Sequence, residues 1–240
     1  MEEKVNGVVL RNVSYLEYDS ILTLFTAEKG IITCKIKGIK KAGAKLKFAG
    51  EPFCFAEYML AEKQGKRTVT GATLTDGFYA IRDDFEKFMC ASVVIEFLLK
   101  FCMEGVKSEQ LFTLCVKALS YIAYKDNPKR YLSWFLINAL SLSGYEMNLE
   151  TCSSCGVVIE SPRLFFDVSG GGFICENCYA NGAPEVSKET FLLLADIYND
   201  VEAQPNSTRF LRLLRFLDFY IFNKVGENLK SLKMLLSNPK

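Results

Sequence analysis

The sequence predicts an α+β protein with several domains, in which a five-stranded β-barrel precedes an all-helical domain that carries an inserted four-cysteine zinc knuckle. Three observations support this prediction. Apolar and polar residues alternate in short runs up to about residue 75, apolar residues recur every three or four positions from Ile81 onward, and two Cys-x-x-Cys pairs follow. The expected domains are residues 1–78 (barrel), 79–149 with 185–240 (helices) and 150–184 (zinc-binding insertion).

The third predicted strand shows the alternation most clearly. Its residues at 32, 34 and 36 are apolar and those at 33, 35 and 37 are polar, so one face should be buried and the other exposed and basic. Five short strands joined by turns, with no long helix between them, are typical of a small closed barrel. The predicted strands cover residues 5–13, 21–26, 31–37, 53–60 and 68–74. The Lys-, Gly- and Ala-rich segment 38–50 is expected to be mobile.

The helical part begins after residue 81 and contains recognisable start signals. Serine is favoured at helix N-caps because its hydroxyl accepts a free backbone N–H, and proline is favoured at the first helical position. Ser108 and Ser187 are therefore predicted caps, and Pro128 is predicted to begin the third helix. The fourth helix should end near residue 200, and residues 205–207 should separate it from the next helix. Two further helices should cover 209–224 and a short segment from about 227.

Composition narrows the function classes. The 240-residue chain has a net charge of +1 and contains no histidine, which removes the most common general base and catalytic zinc ligand. Five of the nine cysteines stand singly in apolar surroundings, which is typical of a reducing compartment. Because the sequence also has no phosphate loop and no GxSxG motif, we expect a non-enzymatic protein. No signal-peptide or membrane-spanning pattern is present, so we expect a cytoplasmic protein that does not interact with membranes.

The two cysteine pairs, Cys152 with Cys155 and Cys175 with Cys178, have the spacing of a zinc ribbon or knuckle. A predicted hairpin turn at residues 169–171 would bring the pairs together. Four thiolates complete the tetrahedral coordination of Zn²⁺ and leave no position for water, so one structural zinc ion is expected. An iron–sulfur cluster, redox-active pairs or four free thiols are the alternatives.

A basic run suggests a nucleic-acid surface. Between Glu28 and Glu51 the chain has seven lysines and no acidic residue. Small five-stranded barrels bind single-stranded nucleic acid around their second and third strands, and exposed aromatic side chains can stack on bases there; Tyr15, Tyr18 and Phe48 are candidates. The alternative is a solvated, charge-protected edge strand. The predicted DNA-binding residues are Lys35, Lys37, Lys40, Lys41, Lys45, Lys47, Lys66 and Arg67.

Several stretches, in this order and spacing, resemble one known family. They are GVVL at 7–10, YDSILTLFTAEKG at 18–30, KGIKK at 37–41, EPF at 51–53, YAIRDD at 79–84, CSSCG at 152–156 with the second cysteine pair, and LKS at 229–231. Together they resemble the bacterial RecO family of DNA repair and recombination-mediator proteins. The resemblance covers the whole chain and implies that the barrel is an OB-fold.

The resemblance also implies a function and partners. Proteins of this family bind single- and double-stranded DNA, anneal complementary strands and, with RecR and often RecF, help RecA replace single-strand-binding protein. They recognise the acidic, apolar C-terminal tail of that binding protein on the helical domain. Arg130 beside Trp134 is the expected tail site, with Arg212 as the alternative on another helix. A zinc-ribbon accessory factor of transcription or translation is the alternative function, and the bacterial nucleoid the expected place of action.

Overall fold

The computed structural model describes residues 2–160, 163–179, 182–198 and 207–237. The chain divides into two compact units, Met1–Lys125 and Asp126–Lys240. The first unit contains the five-stranded barrel and two helices, and the second contains four helices and the cysteine segment. This division reflects compactness alone, so the predicted functional boundaries near residues 78, 150 and 184 stay predictions.

The barrel is closed, as predicted. Its strands follow the order β1-β2-β3-β5-β4, and β4 returns to pair with β1. Neighbouring strands are antiparallel except for β3 and β5, which run parallel through three pairs that include Cys34 opposite Arg67. This OB-like topology confirms the predicted fold class. The strands are β1 (Glu2–Tyr15), β2 (Asp19–Thr26), β3 (Gly30–Ile36), β4 (Phe55–Lys63) and β5 (Lys66–Asp76).

The segment between β3 and β4 forms part of the barrel core and is not a free loop. Ile39 and Ala49 are buried, and a 3₁₀ turn covers Lys47–Gly50. The hydroxyl of Tyr58, which lies inside the barrel, donates to the carbonyl oxygen of Ala49 (3.0 Å), and its burial raises the pKa of Tyr58. The abundance of lysine and glycine predicts a mobile segment, but its apolar residues Ile39 and Ala49 pack into the barrel core.

Two helices complete the first unit. α1 (Phe85–Phe101) is capped by Asp84, and α2 (Glu109–Tyr124) is capped by Ser108. The Ser108 hydroxyl accepts the Leu111 N–H (3.4 Å), which confirms the predicted cap. The ring of Phe112 on α2 packs against two barrel rings, with centroids 5.6 Å from Phe25 and 6.0 Å from Phe55. Aromatic packing therefore attaches α2 to the barrel.

The second unit is helical with one small sheet. The predicted hairpin forms, and a third strand that the sequence did not predict pairs with its first strand. Residues 199–206 lie outside the described ranges, so the end of the fourth helix predicted near residue 200 and most of the break predicted at 205–207 fall on residues that the structure does not describe. The elements are α3 (Pro128–Leu142), β6 (Leu164–Asp167), β7 (Gly172–Cys175), β8 (Glu185–Val186), α4 (Lys188–Tyr198), α5 (Ser207–Tyr220), continued by a π-helical turn (Ile221–Val225), and α6 (Lys230–Ser237).

Phe166 on β6 anchors the small sheet to α5. Its fully buried ring makes edge-to-face contacts with Phe173 on β7 and with Phe216 and Tyr220 on α5, at centroid distances of 5.1 to 5.6 Å. The Ser187 hydroxyl accepts the Thr190 N–H (3.3 Å), so the predicted α4 cap is also present. No helix within the described ranges is both long and apolar enough to cross a membrane.

We predict that Gly30→Ala destabilises the first unit by at least about 2 kcal/mol. Gly30 has a φ of +66°, and a Cβ atom there would lie 2.0 Å from the Val106 carbonyl oxygen. Gly65→Ala is the matched control, because Gly65 has a φ of +73° and no atom within 4 Å of the added Cβ. The control should lose only about 1 kcal/mol, the strain of left-handed backbone. Urea unfolding compares the two, and equal losses would contradict the steric explanation.

Candidate metal centre and nucleic-acid interface

The structure brings the four predicted metal ligands together. The sulfur atoms of Cys152, Cys155, Cys175 and Cys178 all lie within 4.8 Å of one another, and those of Cys155 and Cys175 are 3.8 Å apart. Four thiolates around a tetrahedral Zn²⁺, with Zn–S bonds of about 2.3 Å, stand about 3.8 Å apart. The four residues could therefore hold one metal ion. An iron–sulfur cluster fits less well, because irons and bridging sulfides would separate its thiolates further.

Local backbone geometry aims the first cysteine pair at the second. The Gly156 N–H donates to the Cys152 carbonyl oxygen (2.9 Å), and Gly156 adopts a φ of +74°, which closes the turn. The Ser153 N–H donates to the Phe173 carbonyl oxygen on β7 (2.8 Å). A Cβ at Gly172 would lie 2.0 Å from the Ser153 hydroxyl oxygen. A side chain at residue 172 would therefore displace the Ser153 hydroxyl, and glycine lets the first turn lie close to the hairpin.

The cluster prepares one cysteine for metal binding. Burial of Cys152 opposes its ionisation, but backbone N–H groups, with that of Cys175 foremost, lower the pKa of Cys152 to about 6. Hydrogen bonding to the neighbouring thiols, with Cys155 foremost, raises the pKa of Cys178 to about 12. The protein alone thus favours a thiolate at Cys152 and a thiol at Cys178, and a cation is needed to deprotonate the whole set.

The other five cysteines lie outside the cluster. Burial raises the pKa of Cys54 and of Cys102 to about 11 and that of Cys34 to about 12. Thiols that resist ionisation are poor nucleophiles and poor metal ligands. These cysteines therefore act as small apolar side chains.

The lysines of the predicted DNA-binding strip differ in how free their charges are. We use the term lysine surface for the exposed set that follows β3. Lys41 in this set lies over the Tyr18 ring, with its amino nitrogen 5.7 Å from the ring centroid. Within the described ranges the other members make no ion pair, so their charges remain available to phosphate groups. The lysine surface consists of Lys37, Lys40, Lys41, Lys45 and Lys47.

Lys35 is less available than the sequence suggested. Its amino group forms an ion pair with the Asp19 carboxylate (2.7 Å) and lies 4.7 Å from the Tyr15 ring centroid. Asp19 also accepts the Gly38 N–H (2.8 Å), and the contacts with Lys35 and Gly38 lower the pKa of its carboxyl group. Lys35 therefore helps to fix the start of the lysine surface. Sequence analysis missed this role because Asp19 lies on a different strand.

Two basic residues of the β4–β5 hairpin, Lys66 and Arg67, lie beside β3. The parallel β3–β5 pairing places Arg67 opposite Cys34, and Lys66 before it is exposed. Arg67 is partly buried, with its Nε atom 3.3 Å from a Glu62 carboxylate oxygen. Barrel closure thus brings Lys66 and Arg67 next to the third strand.

The predicted partner-binding residues lie on two helices of the second unit. Arg130 and Trp134 are one turn apart on α3 and partly buried, and the Arg130 guanidinium lies 5.5 Å from the Tyr131 ring centroid. Arg212 on α5 forms an ion pair with Glu189 on α4 (2.9 Å). Arg212 would have to give up this pair to bind an acidic peptide.

Comparisons with known proteins give consistent matches along the chain. The family model described as "Recombination protein O N terminal" matches residues 1–78, and the one described as "Recombination protein O C terminal" matches residues 82–233. A protein named DNA repair protein RecO from Desulforamulus reducens is 30% identical over 233 residues, which covers 92% of this chain and 91% of that protein. A protein of the same name from Frankia casuarinae is 33% identical over 196 residues, which covers 80% of this chain and 79% of that protein.

We predict that protein purified without chelator contains one zinc ion per chain, and that Cys175→Ser loses the ion and lowers the free energy of unfolding. Cys102→Ser is the matched control, because it removes a thiol outside the cluster and should keep the metal content. Elemental analysis measures the metal. Iron in place of zinc, or no metal in unaltered protein, would contradict the prediction.

The same site should make stability depend on pH. The folded-state pKa of Cys152 is lowered, so its contribution is fully present above the pKa of an unfolded cysteine, near 9, and is lost as the pH falls through about 6. Protonation of the other thiolates releases the metal in the same direction. Metal release followed with a chromogenic chelator should therefore rise on acidification, and a release that is constant from pH 8 to 5 would argue against thiolate ligation.

Proposed function

This chain belongs to the RecO family of DNA repair proteins, and from this premise we propose that it is a recombination mediator. It binds single- and double-stranded DNA, anneals complementary strands and, with RecR and RecF, helps to load RecA onto DNA coated by single-strand-binding protein. The observation that carries the proposal is a cluster of exposed lysines after the third strand of a closed five-stranded barrel.

The lysine surface supports binding without sequence preference. A lysine amino group is a mobile point charge that neutralises a phosphate group and makes no demand on the base. Each neutralised phosphate releases condensed counterions, so affinity should fall as salt rises. Several flexible lysine side chains on one short segment can follow the variable path of a single-stranded DNA backbone better than rigidly held charges could.

The same charges account for annealing. Two complementary strands repel each other through their phosphate groups, and this repulsion slows the first base-pairing contacts. A protein that neutralises phosphates on one strand while leaving its bases accessible reduces the repulsion. Annealing then needs only bound DNA and thermal motion, and the proposal assigns no catalytic residue to the chain.

The metal site supports the function indirectly. We assign to it one structural Zn²⁺, which fits the four thiolates and leaves no open position for a substrate. Its role is to join the turn at Cys152 to the β6–β7 hairpin, a segment too small to fold by burial alone.

The second unit is assigned to partner recognition. A peptide tail that is acidic and apolar requires an apolar pocket with a cation at its edge. Arg130 and Trp134, one turn apart on α3, provide a cation and a large aromatic side chain, and Arg212 is the alternative cation. We place the protein's action at the bacterial nucleoid during repair. The comparisons match RecO models over both units and do not favour the transcription or translation alternative.

The triple variant Lys37→Ala, Lys40→Ala, Lys45→Ala should bind single-stranded DNA more weakly and anneal complementary strands more slowly. Each lost phosphate contact reduces the slope of log affinity against log salt by about 0.7, so the triple variant should lose about 2. Fluorescence anisotropy over a salt series measures this slope, and a quenching assay measures annealing.

The matched control is Lys4→Ala, Lys29→Ala, Lys107→Ala. It removes the same total charge from the first unit, but each of these lysines is paired with a glutamate. The control should keep most of the slope. Equal losses in both variants would mean that only net charge matters, and annealing at the protein-free rate by unaltered protein would refute the mediator proposal.

Trp134, the one tryptophan of the chain, should report on tail binding directly. Titration with a synthetic acidic, apolar peptide that corresponds to the single-strand-binding-protein tail should change its fluorescence emission. Arg130→Ala should weaken binding about tenfold, the usual loss for a hydrogen-bonded charge, and Arg212→Ala should weaken it less. A peptide with lysine in place of its acidic residues is the control, and unchanged emission with the acidic peptide at saturation would move the site away from α3.

A further inference from the structure

The turn between β1 and β2 holds a leucine in an unfavourable state. Leu16 has a φ of +56°, in the left-handed region, and its side chain is 70% exposed. A branched side chain destabilises this backbone conformation, and an apolar side chain gains nothing from contact with water. Leu16 therefore contributes no packing that would compensate for its strain.

The other strained positions show how unusual Leu16 is. Five non-glycine residues within the described ranges have positive φ. Phe53 and Phe78 are almost fully buried, so packing compensates for their backbone, whereas Asn127 and Gln64 are polar. Leu16 alone among these five is both apolar and exposed. Uncompensated strain of this kind is typical of positions that contact a ligand.

The residues around Leu16 form a fixed, partly aromatic surface. Tyr15 and Tyr18 are 45% and 43% exposed, and each ring has a lysine amino group near it. The Lys40 N–H donates to the Tyr18 carbonyl oxygen (3.1 Å) and so joins the turn to the start of the lysine surface. The Lys41 charge, which can hold a phosphate, and two exposed aromatic rings therefore lie side by side.

We propose that residues 15–18 form a base-contacting tip, in which Leu16 inserts between neighbouring bases of an unpaired strand and the tyrosine rings stack on them. The inference rests on the proposed DNA binding and adds base contacts to the phosphate contacts of the lysine surface. Apolar side chains inserted between bases and aromatic rings stacked on bases are both established modes of nucleic-acid binding. The five charges of the adjoining lysine surface outweigh the single negative charge of Glu17 in the turn, and this favours a nucleic acid as the occupant.

The tip should distinguish single strands from duplexes. In a duplex the bases are paired and stacked, so insertion of Leu16 would require unstacking, whereas unpaired bases separate easily. The lysine surface contacts phosphates of either form. Loss of the tip should therefore weaken single-strand binding more than duplex binding.

The test is Leu16→Asn, measured on two oligonucleotides of equal length, one of thymidines and one with abasic sugars. Asparagine tolerates left-handed backbone, so the variant should be at least as stable as unaltered protein. Its affinity for the thymidine strand should fall about tenfold, within the usual range for a lost base-stacking contact, with an unchanged salt slope. Its affinity for the abasic strand should not change.

Gln64→Asn is the matched control, because Gln64 has a φ of +51° at the tip of the β4–β5 hairpin but has no apolar side chain to insert. It should leave both affinities as they are. Equal binding of the two strands by unaltered protein would overturn the base-contacting tip and leave the proposed function standing. Binding of neither strand would overturn both. If Leu16→Asn kept DNA affinity but weakened RecR binding, the tip would be a protein-docking surface and the inference would be wrong.

Discussion

The parallel pairing of β3 with β5 is the constraint on which the proposed nucleic-acid interface depends. It consists of three residue pairs, and it closes a sheet that would otherwise have two open edges. Because of this closure, Lys66 and Arg67 lie beside the strand that leads into the lysine surface. Closure also buries Tyr58, whose hydroxyl holds the segment that carries the lysines.

The two candidate sites use different physical chemistry. In the proposed function the lysine surface binds DNA through charges that remain exposed, so its effect is adjustable by salt and spread over several side chains. The cysteine cluster could hold a metal ion through short coordination bonds that fix one geometry. One site suits a long, variable polymer, and the other suits a small sheet that must keep its shape on α5. Within the barrel, the Asp19 carboxylate pairs with Lys35 and so removes that lysine from the exposed charge. The same carboxylate accepts the Gly38 N–H and fixes the turn there.

Local patterns predicted most of the fold and the four-cysteine cluster. Alternation identified the five strands, the hydroxyls of Ser108 and Ser187 identified helix starts, and cysteine spacing identified the four residues that could hold a metal ion. Non-local contacts could not be predicted in this way. The Asp19–Lys35 ion pair joins two strands, β8 has only two residues, and the strain at Leu16 depends on a positive φ angle that a leucine in the sequence does not predict.

Hydrogen–deuterium exchange measured with and without a single-stranded oligonucleotide tests the central claim, that the DNA surface is the β1–β2 turn with the segment after β3. We predict slower exchange on DNA binding in residues 15–18 and 37–47. Exchange should not change in the β6–β7 hairpin or in the turn at 27–30, which lies at the other end of β2 and β3 from these two segments. Protection confined to the second unit, with none at residues 15–18 or 37–47, would contradict the account.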